Sequence, residues 1–273
     1  MSRDLRYIDL IIEAEIKDFA STFRNDYCVG KAKKERNILN KKNNIFIAAL
    51  GNEIATYSTL MRSLDSSLGN RLEKIAKLIA ENNFKVNNKI EGYISKKSVD
   101  AIANLLDKYE NHIKLPEKND IETIYFGQGN EKMVKGHKSD YYLTLKSDHT
   151  KKYLIELKIG GDLDNKKAQA EKESLLKQYV LLRNSNEIKP TDRVSIFFCT
   201  AYNKNGEEAT WTQGRVRQFF CEEEIKIGRD FWNFFCNSPD GYEIVKNSYL
   251  KHAHYLKDTL EEIVKHFSSN KPI

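Results

Sequence analysis

The sequence predicts an α/β fold in which a central mixed β-sheet is flanked by helices, with further helical segments at both ends. Three observations predict it. Apolar residues recur at three- and four-residue steps through much of the first hundred positions, and again from Arg229 to Phe267. Between about residues 121 and 201 the period shortens to two, and a long helical pattern there separates two strand patterns. The chain has 273 residues, four prolines, no repeat and no low-complexity tract, so it can bury one large core and shows no linker. The expectation is a single domain over 1–273, with a mainly helical part at 1–110, a sheet core at 120–203 and a loop with closing helices at 204–273.

Each element has a local cause. Leu5, Ile8, Ile11, Ile12, Ile16 and Phe19 make the stripe of an amphipathic first helix, followed by a basic, asparagine-rich stretch from Lys31 to Asn44. Ser66 or Ser67 can cap a helix carrying Leu68, Leu72, Ile75 and Ile79, and Ser98 one that runs to Tyr109. Ile121–Phe126, Tyr141–Lys146 and Tyr153–Ile159 are rich in β-branched and aromatic residues and read as strands. A helix is expected over Asn165–Arg183. Val194–Ala201 is apolar enough for a strand buried on both faces.

Composition narrows the function. Lysine plus arginine exceed aspartate plus glutamate by 45 − 39 = 6, an excess that suits a polyanion without requiring one. The longest apolar run, Ile45–Leu50, is far short of a membrane span, and the polar start Met1-Ser2-Arg3-Asp4 is unlike a secretory signal. Cys28, Cys199, Cys221 and Cys236 are scattered without a CxxC pair, which argues against a zinc ribbon or disulfide scaffold and for reduced thiols in a cytoplasmic protein.

The informative segment is Ser139-Asp140, a hairpin, and then Glu156-Leu157-Lys158. On the second strand Tyr153, Ile155, Leu157 and Ile159 share an apolar face, while Glu156 and Lys158 share the other, ~7 Å apart along the strand. Whether Asp140 joins them depends on register. A two-residue turn at Asp148-His149 gives paired positions summing to 297 and sets Asp140 opposite Leu157; a sum of 296 or 298 sets it opposite Glu156 or Lys158. Ser147-Asp148-His149-Thr150 lacks the Asn-Gly or Asp-Gly signal of a two-residue loop, so the even register stays open. Converging Asp and Glu carboxylates would suit Mg2+ beside a phosphodiester, with Lys158 orienting or helping to deprotonate a water.

Asp140 with Glu156-Leu157-Lys158 sixteen positions on resembles the PD-(D/E)xK nuclease signature, with Ser139 in place of the proline. Leu68-Gly69-Asn70-Arg71-Leu72-Glu73 resembles the helix from which many such enzymes supply another glutamate. The run Glu156–Ala168 and the segment Ile227-Gly228-Arg229-Asp230-Phe231-Trp232 are similar to type II restriction endonucleases, notably the TdeIII-like group. The resemblance implies a restriction-endonuclease-like core and Mg2+-dependent cleavage of double-stranded DNA at a short palindrome by a homodimer, with Mn2+ able to substitute. It implies 5′-phosphate and 3′-hydroxyl ends and a cognate DNA methyltransferase as functional partner. It also implies catalytic roles for Asp140, Glu156, Lys158 and Glu73, and a metal held by Asp140, Glu156 and Leu157. The rivals are a structure-specific repair or resolvase-type nuclease and a catalytically silent DNA-binding module.

Other residues carry weaker readings. Glu73 has a plain alternative as the i, i+4 partner of Lys77. Alternation along Trp211–Arg217 would put Gln213, Arg215 and Arg217 on one strand face for base readout, and Asn70 is a further DNA-binding candidate. The basic residues from Lys31 to Lys42 would follow the DNA backbone. Gly127, Gly129 and Gly136 shape the approach to Asp140, and Asp162 and Asp164 read as a turn and helix cap. Gln178 and Tyr179 are either structural or phosphate-facing.

Overall fold

The computed structural model describes residues 5–29, 34–127, 133–159, 167–185 and 187–269; the side chains of 133–140 and 268–269 lie outside that description. Chain order is α1 (Arg6–Cys28), α2 (Glu35–Lys42), α3 (Ile45–Ala48), α4 (Asn52–Asn83), β1 (Phe84–Tyr93), α5 (Lys96–Glu110), α6 (Asp120–Thr123), β2 (Met133–Leu145) and β3 (Lys151–Lys158). There follow α7 (Lys167–Arg183), β4 (Arg193–Thr200), α8 (Gly214–Arg217), a 3-10 turn (Glu222–Glu224), β5 (Ile225–Ile227), α9 (Arg229–Cys236), α10 (Gly241–His252) and α11 (His254–Ser269). The chain forms two compact units, Met1–Ile75 with Glu243–Ile273, and Ala76–Tyr242.

In the helical unit the expected stripe of α1 is buried at Ile8, Ile12, Ile16 and Phe19 and extends to Phe23 and Tyr27. It packs against α11. Ion pairs frame this core: Arg24 Nε donates to both Glu262 oxygens at 2.8 Å, and Asp9 accepts from Lys251 at 2.7 Å and lies 3.0 Å from His252 Nε2. Ser66 and Ser67 do not cap a helix. They lie inside α4, which continues upstream because Ala55 and Leu60 extend its buried positions.

In the sheet unit a strand that the helical reading of the first hundred residues did not contain, β1, occupies Phe84–Tyr93. Strand order is β1-β2-β3-β4-β5, antiparallel from β1 to β3 and parallel from β3 to β5, so β3 is the central strand of a mixed sheet. One face is covered by α5 and α7, where Leu154, Ile196 and Phe198 join Ile102, Leu106, Leu175 and Tyr179 in the main core. The other carries a ring cluster in which Tyr153 stacks on Phe197 and meets Phe84 and Phe234 edge-on. β4 is buried on both faces, as its apolar run predicts.

Two further expectations change. Ile121–Phe126 is not a strand: the buried Asp120 carboxylate accepts from the Tyr109 hydroxyl at 2.7 Å and the Glu117 amide at 2.9 Å, and this anchors the helical turn α6. The helix expected from Ser98 starts earlier, capped by Ser95, whose hydroxyl oxygen accepts from the Ser98 amide. The closing helices form as expected, as α9, α10 and α11, with α9 capped at its C-terminus by Asn237 in a left-handed conformation, φ 48°. Glycine is required at Gly92, where β1 passes so close to α7 that a Cβ would overlap the Leu181 carbonyl.

Candidate active site

The site is built on the end of β3. The hairpin has the even register: Tyr141, Tyr142, Leu143 and Thr144 pair with Ile155, Leu154, Tyr153 and Lys152, each pair summing to 296. Its turn is organised by Asp148, whose Oδ1 accepts from both the amide and the hydroxyl of Thr150. The Asp140 side chain lies outside the described residues; its backbone belongs to β2.

Alternation along β3 puts Leu154, Glu156 and Lys158 on the face that α7 covers, and Tyr153 on the ring-cluster face. Glu156 is only 6% exposed, so its carboxylate is deeply placed for a charged group. It is stabilised by a direct ion pair with Lys158. The Lys158 ammonium reaches a second carboxylate, Glu171 Oε1 on α7, at 2.9 Å. Burial by itself pushes Lys158 down, but the hydrogen bonds and charges of Glu156 and Glu171 outweigh it and raise its pKa above the ordinary lysine value.

Glu171 was not singled out from the sequence. A signal existed: a helix joining two adjacent parallel strands starts near the C-terminal end of the first, so an acid early in α7 belongs near Lys158. The next residue anchors that helix. Lys172 is fully buried, and its Nζ donates to both oxygens of Glu224 at 2.7 and 2.6 Å. Glu224 Oε2 also accepts from the Cys221 amide, and the ammonium lies 4.9 Å from the Phe220 ring centroid.

The residues singled out from the sequence are distributed as follows. Glu156, Leu157 and Lys158 are together on β3. The Leu157 side chain is buried and apolar, so its only hard donor is the main-chain carbonyl. Glu73 and Asn70 are exposed on α4 within the helical unit, and Lys77 pairs with Glu81. Gln213, Arg215 and Arg217 are not on a strand. Gln213 precedes α8, Arg215 pairs with Glu110 at 2.7 Å and bonds Gln218, and Arg217 pairs with Glu222 while lying over Trp211. The strand alternation fails there because Gly214 opens a helical turn that buries Val216. Gln178 and Tyr179 are both buried, which favours the structural reading. Gly129, Asp162 and Asp164 lie outside the described residues, whereas Gly127 has φ 75° and its carbonyl accepts from Asn184. Among the described residues no helix is long and apolar enough to cross a membrane, and no group of three acidic, histidine or cysteine side chains is placed to hold a metal.

The carboxylate oxygens of Glu156 and the main-chain carbonyl of Leu157 are hard oxygen donors of the kind that fits a magnesium-sized cation, which keeps several waters and takes few protein ligands, while the adjacent Lys158 ammonium is a positive charge beside that set and not a ligand in it. The chain matches a protein family described as type II restriction endonuclease, HinfI, over residues 6–253. The match agrees with the class that the Asp140, Glu156 and Lys158 pattern suggested. No curated protein and no solved structure matches.

Proposed function

Since the chain belongs to the HinfI family of type II restriction endonucleases, site-specific enzymes that act on double-stranded DNA, we propose that it cleaves a short palindrome in a Mg2+-dependent reaction carried by Glu156 and Lys158. The observation that carries this reading is the carboxylate, ammonium, carboxylate chain of Glu156, Lys158 and Glu171 at the end of the central strand. Continuing the register of 296 by one residue would set Asp140 across from Glu156, which supports Asp140 as the second carboxylate.

Asp140, Glu156 and the Leu157 carbonyl would hold the cation, with Mn2+ as a substitute. When bound, it supplies charge neutralisation at the phosphate and lowers the pKa of water enough for attack at neutral pH. Glu156 is prepared for this by its deep placement. Lys158, held protonated by Glu156 and Glu171, presents positive charge where negative charge grows on the phosphoryl oxygens. Glu171 keeps the ammonium in place when Glu156 is engaged elsewhere. Strand scission then leaves 5′-phosphate and 3′-hydroxyl ends. A palindromic target fits a homodimer, and a cognate methyltransferase would protect host DNA. Glu73 is proposed as an accessory carboxylate and Asn70 as a DNA contact. Gln213, Arg215 and Arg217 would read bases only by exchanging the Arg215 and Arg217 ion pairs for DNA contacts. Four free cysteines accord with a reducing cytoplasm.

The test is incubation with phage DNA and magnesium, followed by sequencing of fragment ends. Discrete fragments sharing one terminus are expected, and Glu156→Ala or Lys158→Ala should keep DNA binding while cleavage falls by about a hundredfold or more. Wild-type rates in either variant, or fragments without a common end, would refute the assignment.

A further inference from the structure

The helical unit contains a cleft of about 540 Å³ between α2 and α4. All twelve described side chains that line it are lysine, arginine, serine, threonine, asparagine or tyrosine; none is a carboxylate and none is aliphatic. Pockets for small organic ligands are mostly apolar. This one instead holds the residue types that contact DNA phosphates and sugars. The placement follows from helix geometry. Asn37, Asn40 and Lys41 lie at three- and four-residue steps on α2, and Thr59, Arg62 and Ser66 do so on α4, so two helical faces turn donors into one cleft. Among the described residues neither the Lys41 ammonium nor the Arg62 guanidinium has an ion-pair partner, whereas the third lining cation, Lys34, is held 3.0 Å from Asp26. Two uncompensated cations flanked by amides and hydroxyls are suited to a polyanionic backbone.

We infer that this cleft is a second DNA-contacting surface, seating the sugar-phosphate backbone of duplex DNA through Lys41 and Arg62, with the asparagine amides and α4 hydroxyls bonding the same strand. The inference rests on the DNA-cleaving assignment and adds to it a surface remote in sequence from Glu156. Its role is affinity and orientation, because phosphate contacts fix a protein on the duplex without reading sequence.

The experiment measures equilibrium binding of a duplex oligonucleotide across a salt series, for the full chain and for Lys41→Ala/Arg62→Ala. Each phosphate contact contributes about 0.9 to the slope of log K against log salt, so the double variant should lose about 1.8 of that slope and bind more weakly at every salt concentration. Should the pair unfold, Arg62→Gln alone carries the same test, with a loss of about 0.9. A wild-type slope in the folded variant overturns the inference while leaving the nuclease assignment intact, since plasmid cutting by the unaltered chain is scored in parallel. A wild-type chain that neither binds nor cuts duplex DNA overturns both.

Discussion

Replacing Lys172 with methionine tests whether the buried pair at the root of α7 holds the sheet unit together. Lys172 is 0% exposed and Glu224 is 3% exposed, with both carboxylate oxygens on the ammonium at 2.6 and 2.7 Å. Methionine fills similar volume but leaves the Glu224 carboxylate with the Cys221 amide in place of the ammonium. Breaking such a pair from one side costs about 3–5 kcal/mol, because the remaining charge is stranded in a low dielectric. Lys172→Met/Glu224→Gln removes both charges, retains an oxygen for the Cys221 amide, and should recover to within about 1 kcal/mol of the wild type. The assay is urea denaturation followed by tryptophan fluorescence. Both tryptophans, Trp211 and Trp232, are buried in the sheet unit, so the signal reports that unit. A single variant that loses less than about 1 kcal/mol, or a double variant no better than the single, would refute the reasoning.

Two other predictions concern charge. Glu171→Gln keeps an acceptor beside Lys158 but removes its charge, so cleavage should slow about ten- to hundredfold with DNA affinity unchanged, from the ~1.5–3 kcal/mol of a charge-assisted hydrogen bond; single-turnover kinetics at saturating protein check this, and an unaltered rate would dismiss Glu171 from the site. The Asp9 carboxyl is lowered chiefly by its hydrogen bond from Lys251, against the opposing effect of burial and with help from His252. A carboxyl lowered in the folded state contributes stability above its unfolded pKa and loses it as pH falls through the folded one. Asp9→Asn should therefore be less stable than wild type at pH 6, with the gap closing below about pH 4; a gap that stays constant down to pH 3 in thermal unfolding would contradict this.

What the sequence made legible follows from how local each cause was. The β3 pattern, the apolar run of β4 and the α1 stripe are set by alternation or periodicity within a few residues, and all three form as read. The even register of the hairpin was legible as an open choice because Asp148-His149 lacks the residues of a tight turn. β1 was hidden: Phe84–Tyr93 is rich in asparagine and lysine, and it becomes a strand because β2 pairs with it and Gly92 lets it approach α7. The sequence did not reveal that Arg215 and Arg217 sit on a helical turn and pair with Glu110 and Glu222 in the fold. Glu171 and the Lys172–Glu224 pair needed the strand-helix-strand geometry, which brings residues 52 positions apart into contact.

Beneath β3, the rings of Tyr153, Phe197, Phe234 and Phe84, with the Lys226 ammonium above two of them, act as a key for the strand. A slip of one residue would exchange its two sides, driving a carboxylate among the rings and a bulky aromatic under α7. The ring cluster thus settles which side of β3 Glu156 and Lys158 occupy, and with it their placement against α7.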